Sequence, residues 1–200
     1  MTTARLSEQF FHQPTHLLAR SLLGKIVVLG ETSGRIVEVE AYQGPADPGA
    51  HSFGGRRTRR TEVMFGPPGH AYVYLIYGMY ECLNVVSGEE GSPEAVLIRA
   101  LAPEAGLDIM VQRRTRIGKQ PVPFGRLTNG PGRLTKALAI TRRLNGSALW
   151  RPPLYLLDDG YQLPPGGMAQ GPRIGFGYAA RLAAAFPWRY WIQGNPFVSS

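Results

Sequence analysis

The chain has 200 residues, 44% apolar and 18% charged, with a formal net charge of +8 and a sequence pI near 10.0. That length and composition suit a single domain over residues 1–200 with a core of its own, and they set aside disordered and fibrous classes. The charge favours an anionic partner such as nucleic acid, while the single cysteine, Cys82, excludes an intrachain disulfide and any Cys-rich metal site.

Residues 14–24 carry a short helix signal, with Thr15 as a candidate cap, Leu18 and Leu22 on one face, and Gly24 at the end. Lys25 to Leu29 is a predicted strand, and residues 30–34 a turn. The stretch Ile36-Val37-Glu38-Val39-Glu40-Ala41-Tyr42 then alternates as a strand does, so that 25–42 forms a hairpin. Alternation sends Val37, Val39 and Ala41 to one face, and Ile36, Glu38, Glu40 and Tyr42 to the other. Two carboxylates beside a ring make a floor for an active site; a half-solvated antiparallel strand would look the same.

Residues 43–70 show no period and are rich in glycine and proline, as long functional or mobile loops are. Within them Arg56, Arg57, Arg59 and Arg60 fall in five positions, which suits either an anion site or a solvated loop. Ala71–Tyr77 and Tyr80–Val86 read as a second hairpin turning on Gly78-Met79, with Tyr77 at the tip. Tyr72, Tyr74, Tyr77 and Tyr80 crowd this hairpin; Tyr72 and Tyr80 fit the edge of a core equally well.

Glu94–Leu101 is an apolar strand interrupted by Arg99, which needs a carboxylate if it is buried; Glu38 and Glu40 are the candidates. Residues 103–116 read as a helix from Pro103, and 129–140 as a helix whose glycine-rich start suits a phosphate or simple capping. Leu154–Leu157 is a strand, residues 173–177 a short strand or tight loop, 178–185 a helix, and 188–192 a closing strand. Strands and helices interleave irregularly, so the expected class is α+β: a curved, mixed, mainly antiparallel sheet with flanking helices and a protruding hairpin. His12, His16, His51 and His70 lack paired ligand spacing, so neither metal nor cofactor is expected. No charged-then-apolar leader and no run of about 20 apolar residues occurs, so a cytoplasmic protein without membrane contact is expected.

Taken together, these residues suit a flat aromatic group on a polyanion: tyrosines stack on bases, arginines hold phosphates, and a carboxylate polarises water. The sequence resembles the alkyladenine (3-methyladenine, methylpurine) DNA glycosylase family in a compact bacterial form. The resemblance rests on Val37–Tyr42, Ala50-His51-Ser52, Gly54-Gly55-Arg56, Met64-Phe65, Tyr72–Tyr80, Leu97–Leu101, Gly130–Leu134 and Gly194-Asn195-Pro196. It implies that Glu40 is the general base that activates water, with Arg99 positioning it. It further implies that Tyr42 stacks on one face of a flipped base, His51 and Tyr74 on the other, and that Asn84 disfavours guanine. Tyr77 resembles the wedge that enters the minor groove and fills the gap left by the flipped nucleotide. Met79, Arg56, Thr58 and Met64 fall at DNA contacts, as do Arg173, Ile174 and Gly175 in a further turn.

The implied partner is double-stranded DNA with damaged purines, handled by a monomer near the nucleoid. The implied reaction hydrolyses the N-glycosidic bond without lyase chemistry, since none of Lys25, Lys119 and Lys136 joins the constellation. Glu38 reads as structural. A nucleic-acid-binding protein without catalysis is the competing class, and it leaves Glu40 and Arg99 unexplained. A carbohydrate glycosidase is disfavoured by the charge.

Overall fold

The computed structural model describes residues 3–115, 117–175 and 185–199. The alternating stretch and the apolar stretch broken by Arg99 become the longest ladder among the described residues, between β3, Thr32–Tyr42, and β6, Glu94–Ala105. Both run antiparallel through the centre of one sheet, completed by β1 Ala4–Arg5, β2 Ile26–Leu29, β4 Ala71–Ile76, β5 Tyr80–Ser87 and β7 Leu154–Asp158. Those strands follow the order β1-β7-β2-β3-β6-β5-β4. Two more, β8 Met168–Gly171 and β9 Arg189–Ile192, join beside β3, where β9 pairs Glu38 to Glu40. Every strand pair among the described residues is antiparallel, so the sheet is not mixed, and the α+β class holds.

Among the described residues three α-helices flank the sheet: α1 Thr15–Leu22, α2 Leu107–Arg114 and α3 Pro131–Leu138. In α1, Leu18, Ala19 and Leu22 share a buried stripe that packs on β3 and β6. Pro14 stands at its N-cap, so Thr15 is not the cap. The Thr15 hydroxyl instead reaches Ser87 Oγ at 2.8 Å, and also Glu94. The core gathers Leu18, Val37, Val39, Ile98, Leu134 and Leu156, all without exposed surface. Each such side chain contributes about 1.5–3 kcal/mol by leaving water.

Several expected boundaries move. The first hairpin turns on Gly30 and Glu31 alone, since Leu29 pairs with Thr32. Gly34 lies inside β3, where an added Cβ would come within 3.0 Å of the Ala102 carbonyl oxygen and Leu101. That glycine marks a close approach of strands rather than a turn. Pro103 opens no helix: β6 runs through it, opposite Gly34 and beside a register shift that tolerates a missing N–H. The helix starts only after Gly106, whose φ is 70°. α3 is shorter than 129–140, ending at a left-handed Ala139. β1 and β8, which carry little strand signal, escaped the sequence reading. The helix expected over 178–185 falls almost wholly on residues 176–184, outside the described residues.

The second hairpin turns differently from expectation. Ile76 pairs with Tyr80, so its loop is Tyr77-Gly78-Met79. Tyr77 and Gly78 both have positive φ, 53° and 68°, and Met79 N–H donates to the Ile76 carbonyl at 3.2 Å. A left-handed tyrosine costs about 1–2 kcal/mol, which the tip retains.

Candidate active site

β3 supplies both carboxylates, and neither is solvated: Glu38 and Glu40 have no exposed surface. The ladder explains how Arg99 meets them. Its register slips between Ile36 and Glu38 and again between Glu38 and Val39, so Val37 and Arg99 each lack an opposite partner there. Such bulges bend a strand and re-aim a side chain. Arg99 Nε then donates to Glu38 Oε1 at 3.0 Å, while Nη1 pairs with Glu40 Oε1 at 3.2 Å. Ile36, which strict alternation would set beside the carboxylates, packs in the main apolar cluster with Val37.

The two acids have different surroundings. Glu38 takes four donors: besides Arg99, its Oε1 accepts from Arg189 Nη1 at 3.1 Å and Ser199 Oγ at 2.9 Å, and its Oε2 accepts from the Ser199 N–H at 2.7 Å. Glu40 Oε1 accepts from the Ile174 N–H at 2.7 Å, and Oε2 from the Tyr42 hydroxyl at 2.9 Å. Burial pushes the Glu40 carboxyl above its ordinary range, against the pull of Arg99, the Ile174 amide and Tyr42, with Glu38 adding to the push.

A cavity of about 360 Å³ opens against this network. Its walls include Tyr42, His51, Tyr74, Asn84 and Arg99, with Tyr77 at the rim. Five of the residues expected to bind or process a base are therefore brought together. Glu40 is not itself in the wall; its partners Tyr42, Arg99 and Ile174 are. The Asn84 amide donates to the Tyr72 carbonyl at 3.0 Å, which fixes its orientation.

His51 is held from both sides. Nε2 lies 3.3 Å from Arg60 Nη2, and Nδ1 lies 2.9 Å from the Tyr72 hydroxyl. A guanidinium only donates, so Nε2 accepts, and the ring proton sits on Nδ1. Burial, then Arg60 and Arg56, lower the His51 pKa to about 4, so the ring is neutral at pH 7. Arg60 also lies over the Tyr74 ring at 4.6 Å.

The residues expected to touch DNA separate into two groups. Tyr77 (76% exposed) and Met79 (67%) project at the hairpin tip, and Arg56 and Gly175 are exposed, while Thr58 and Ile174 are half-buried. Met64 and Arg173 are buried instead. Met64 lines the cavity. Arg173 makes a bidentate pair with Asp47 at 2.6 and 2.7 Å, donates to the Ala41 carbonyl at 2.9 Å, and lies over the Tyr42 ring at 4.6 Å. The 173–175 turn thus braces β3, while Ile174 and Gly175 line the cavity. Two further clefts flank the hairpin, one lined by Arg59, Arg60 and Arg142, the other by Arg114, Lys119 and Arg133.

The methylpurine-DNA glycosylase family model matches residues 9–196. The chain belongs to the methylpurine-DNA glycosylase family. A protein of Bacillus licheniformis named as a 3-methyladenine DNA glycosylase is 49% identical over 195 residues, covering 96% of this chain and 94% of its own length. A protein of the same name from Bacillus cytotoxicus is 47% identical over 205 residues, covering 95% and 97%. One from Bacillus cereus is 46% identical over 203 residues, covering 95% and 96%. The chain is therefore a DNA glycosylase, with DNA as its substrate and base excision repair as its setting. No helix among the described residues is long and apolar enough to cross a membrane.

For a methylpurine-DNA glycosylase site, sequence reasoning overlooked Asp47, Arg60, Tyr72, Arg189 and Ser199 as supports. Arg60 had a signal, the arginine cluster. Asp47 and Ser199 had none, because an acid or hydroxyl in a loop is ordinary until its buried partner is known.

Proposed function

We propose that the chain turns alkylated or deaminated purines out of duplex DNA into the central cavity. It then hydrolyses the N-glycosidic bond with a water activated by Glu40, and leaves an abasic site. The observation that carries this reading is the buried Glu40, bracketed by Arg99, Ile174 and Tyr42, behind an aromatic cavity whose rim bears an exposed wedge. The relatives' name makes 3-methyladenine the first lesion to try.

Extruding a base costs a few kcal/mol, offset in part when Tyr77 restacks in the gap from the minor groove. The base then lies between Tyr42 and the His51–Tyr74 wall. A cationic methylated purine gains further from the electron-rich rings. Asn84, whose amide is tied to the Tyr72 carbonyl, crowds the exocyclic amine of guanine. As the bond breaks, its electron pair goes to the base nitrogen and the sugar takes on oxocarbenium character, which Glu40 stabilises. Water adds to C1′, and its proton passes to Glu40. The upward-shifted carboxyl suits a base that must accept that proton. Arg56, Thr58, Met79, Ile174, Gly175 and the two basic clefts accommodate the backbone, while Met64 and Arg173 act from within, shaping the cavity and bracing β3. Among the described residues no lysine lines the central cavity, which supports hydrolysis by water without an amine nucleophile or a lyase step.

The test is Glu40→Gln assayed on duplexes carrying 3-methyladenine, hypoxanthine or 1,N6-ethenoadenine. Lesion binding persists, and base release falls by about 10²-fold or more. Retained excision would remove Glu40 from the mechanism. A borohydride-trapped adduct with the native protein would overturn the monofunctional reading.

A further inference from the structure

Two rings that face the central cavity each carry a guanidinium. Arg173 lies over the Tyr42 ring at 4.6 Å, and Arg60 over the Tyr74 ring at 4.6 Å. Their charges are not equivalent. Arg173 is held in a buried bidentate pair with Asp47, which cancels most of its field. Arg60 forms no ion pair among the described residues. The acid of its own loop, Glu62, pairs with Arg57 at 2.6 Å, and Glu81 pairs with Arg142 at 3.1 Å.

Arg60 meets three neutral groups instead. Its Nη2 lies 3.3 Å from His51 Nε2, its guanidinium reaches the Tyr72 hydroxyl, and it covers the Tyr74 ring. His51, Tyr72 and Tyr74 all line the cavity, and Arg60 does not. It lines the neighbouring cleft with Arg59 and Arg142, and Tyr74 is the residue that cavity and cleft share. The guanidinium thus stands behind the wall, one ring away from whatever fills the cavity. It stays charged at any working pH. A ring that already holds one cation has less to offer a second, and like charges across a protein wall repel more strongly than in water.

We propose that Arg60 is a specificity-determining residue: an uncompensated positive charge behind Tyr74 tilts the cavity away from cationic purines and towards neutral ones. This rests on the reading that the damaged base enters the central cavity, and it deepens that reading. The chemistry of departure acts in the same direction. When the glycosidic bond of a neutral purine breaks, its electron pair leaves the base nitrogen negative until a proton arrives, and Arg60 favours that charge. When a cationic methylpurine leaves, the same electron pair makes the base neutral, so Arg60 opposes the bound cation and gains nothing from its release. Arg60 shifts the balance between lesions rather than excluding either.

The experiment compares the native protein with Arg60→Gln, which removes the charge, and Arg60→Lys, which keeps it. Base release is recorded under single-turnover conditions below half-saturation, on duplexes identical except for 3-methyladenine or hypoxanthine, at pH 7.5. That pH is far above the His51 pKa of about 4, so the imidazole is neutral in the native wall. The readout is the ratio of 3-methyladenine to hypoxanthine release, in which any general loss of DNA affinity cancels. A partly screened unit charge predicts that the ratio rises roughly three- to tenfold in Arg60→Gln and by less than about twofold in Arg60→Lys. Arg60 is exposed and free of ion pairs, so both variants keep the fold, which a thermal melt verifies. An unchanged ratio in Arg60→Gln overturns the proposal. So does an equal fall for both lesions alongside weaker binding of undamaged DNA, which would make Arg60 a backbone contact. Native protein that releases neither base sinks the cavity reading and this proposal with it; release of both, in a ratio indifferent to Arg60→Gln, sinks the proposal alone.

Discussion

Glu38→Gln tests whether the first acid of β3 is a structural hub. The side chain accepts four donors: Arg99 Nε, Arg189 Nη1, Ser199 Oγ and the Ser199 N–H. A glutamine of the same shape must put an NH₂ group where one oxygen stood, so at least one donor faces a donor. It also leaves Arg99, whose side chain is 8% exposed, with Glu40 as its remaining counter-ion. Breaking a buried pair from one side costs about 3–5 kcal/mol. For a chain of this size that lowers Tm by about 6–20 °C, at roughly 2–4 °C per kcal/mol. Glu40, the proposed general base, remains, so excision by the folded fraction is expected to continue below the new Tm. Glu38 pushes the Glu40 carboxyl upward, so removing its charge is expected to move the acid limb of the proposed general base to lower pH. A circular-dichroism melt and single-turnover excision at 20 °C measure both effects. An unchanged Tm would refute the hub, and a loss of excision equal to that of Glu40→Gln would refute the division of labour.

Tyr77→Gly removes a left-handed tyrosine from an exposed tip, so Tm changes by less than about 1 kcal/mol equivalent while lesion-DNA affinity falls; unaltered affinity by fluorescence anisotropy would contradict the wedge. Arg60→Ala removes the nearest cation from His51, so an NMR titration shows the His51 pKa rising from about 4, yet staying below 6.5 because burial remains; no movement would mean that Arg60 does not act on the ring. Gly132→Ala brings a Cβ to 2.8–3.0 Å from Tyr80, the residue that closes the tip loop, and displaces the tip, so lesion binding weakens with little change in the sheet; native binding would show that Tyr80 yields freely.

Much of the central ladder was legible because β3 alternates, β6 is an apolar run, and both carry β-branched residues, and the hairpin because tyrosines and valines bracket a glycine. The bulges at Val37 and Arg99 were not, since a register slip depends on both strands and leaves no mark in either alone. Met168–Gly171 escaped for a local reason: Met-Ala-Gln-Gly has no strand propensity, and β9 recruits it. Pro103 misled because the start of a helix and a bulged strand tolerate proline for the same cause, a dispensable N–H. Glu38 and Glu40 are two residues apart and equivalent by pattern. Only the distant donors distinguish them: Ser199 and Arg189 on one acid, the Ile174 amide on the other. The buried place of Arg173 was hidden in the same way, because its counter-ion Asp47 lies 126 residues away.

The Glu38 hub also bears on the order in which the molecule becomes an enzyme. Its partners stand 61, 151 and 161 residues away in sequence. Contacts of such separation close late, after local hairpins have formed, because the loop entropy must be met first. A refolding chain can thus hold β2–β3 and β4–β5 as hairpins while Glu40 still hangs on an unanchored strand. Activity then returns in the last kinetic phase, behind the recovery of strand signal, and base release becomes a clock for the docking of the far segments.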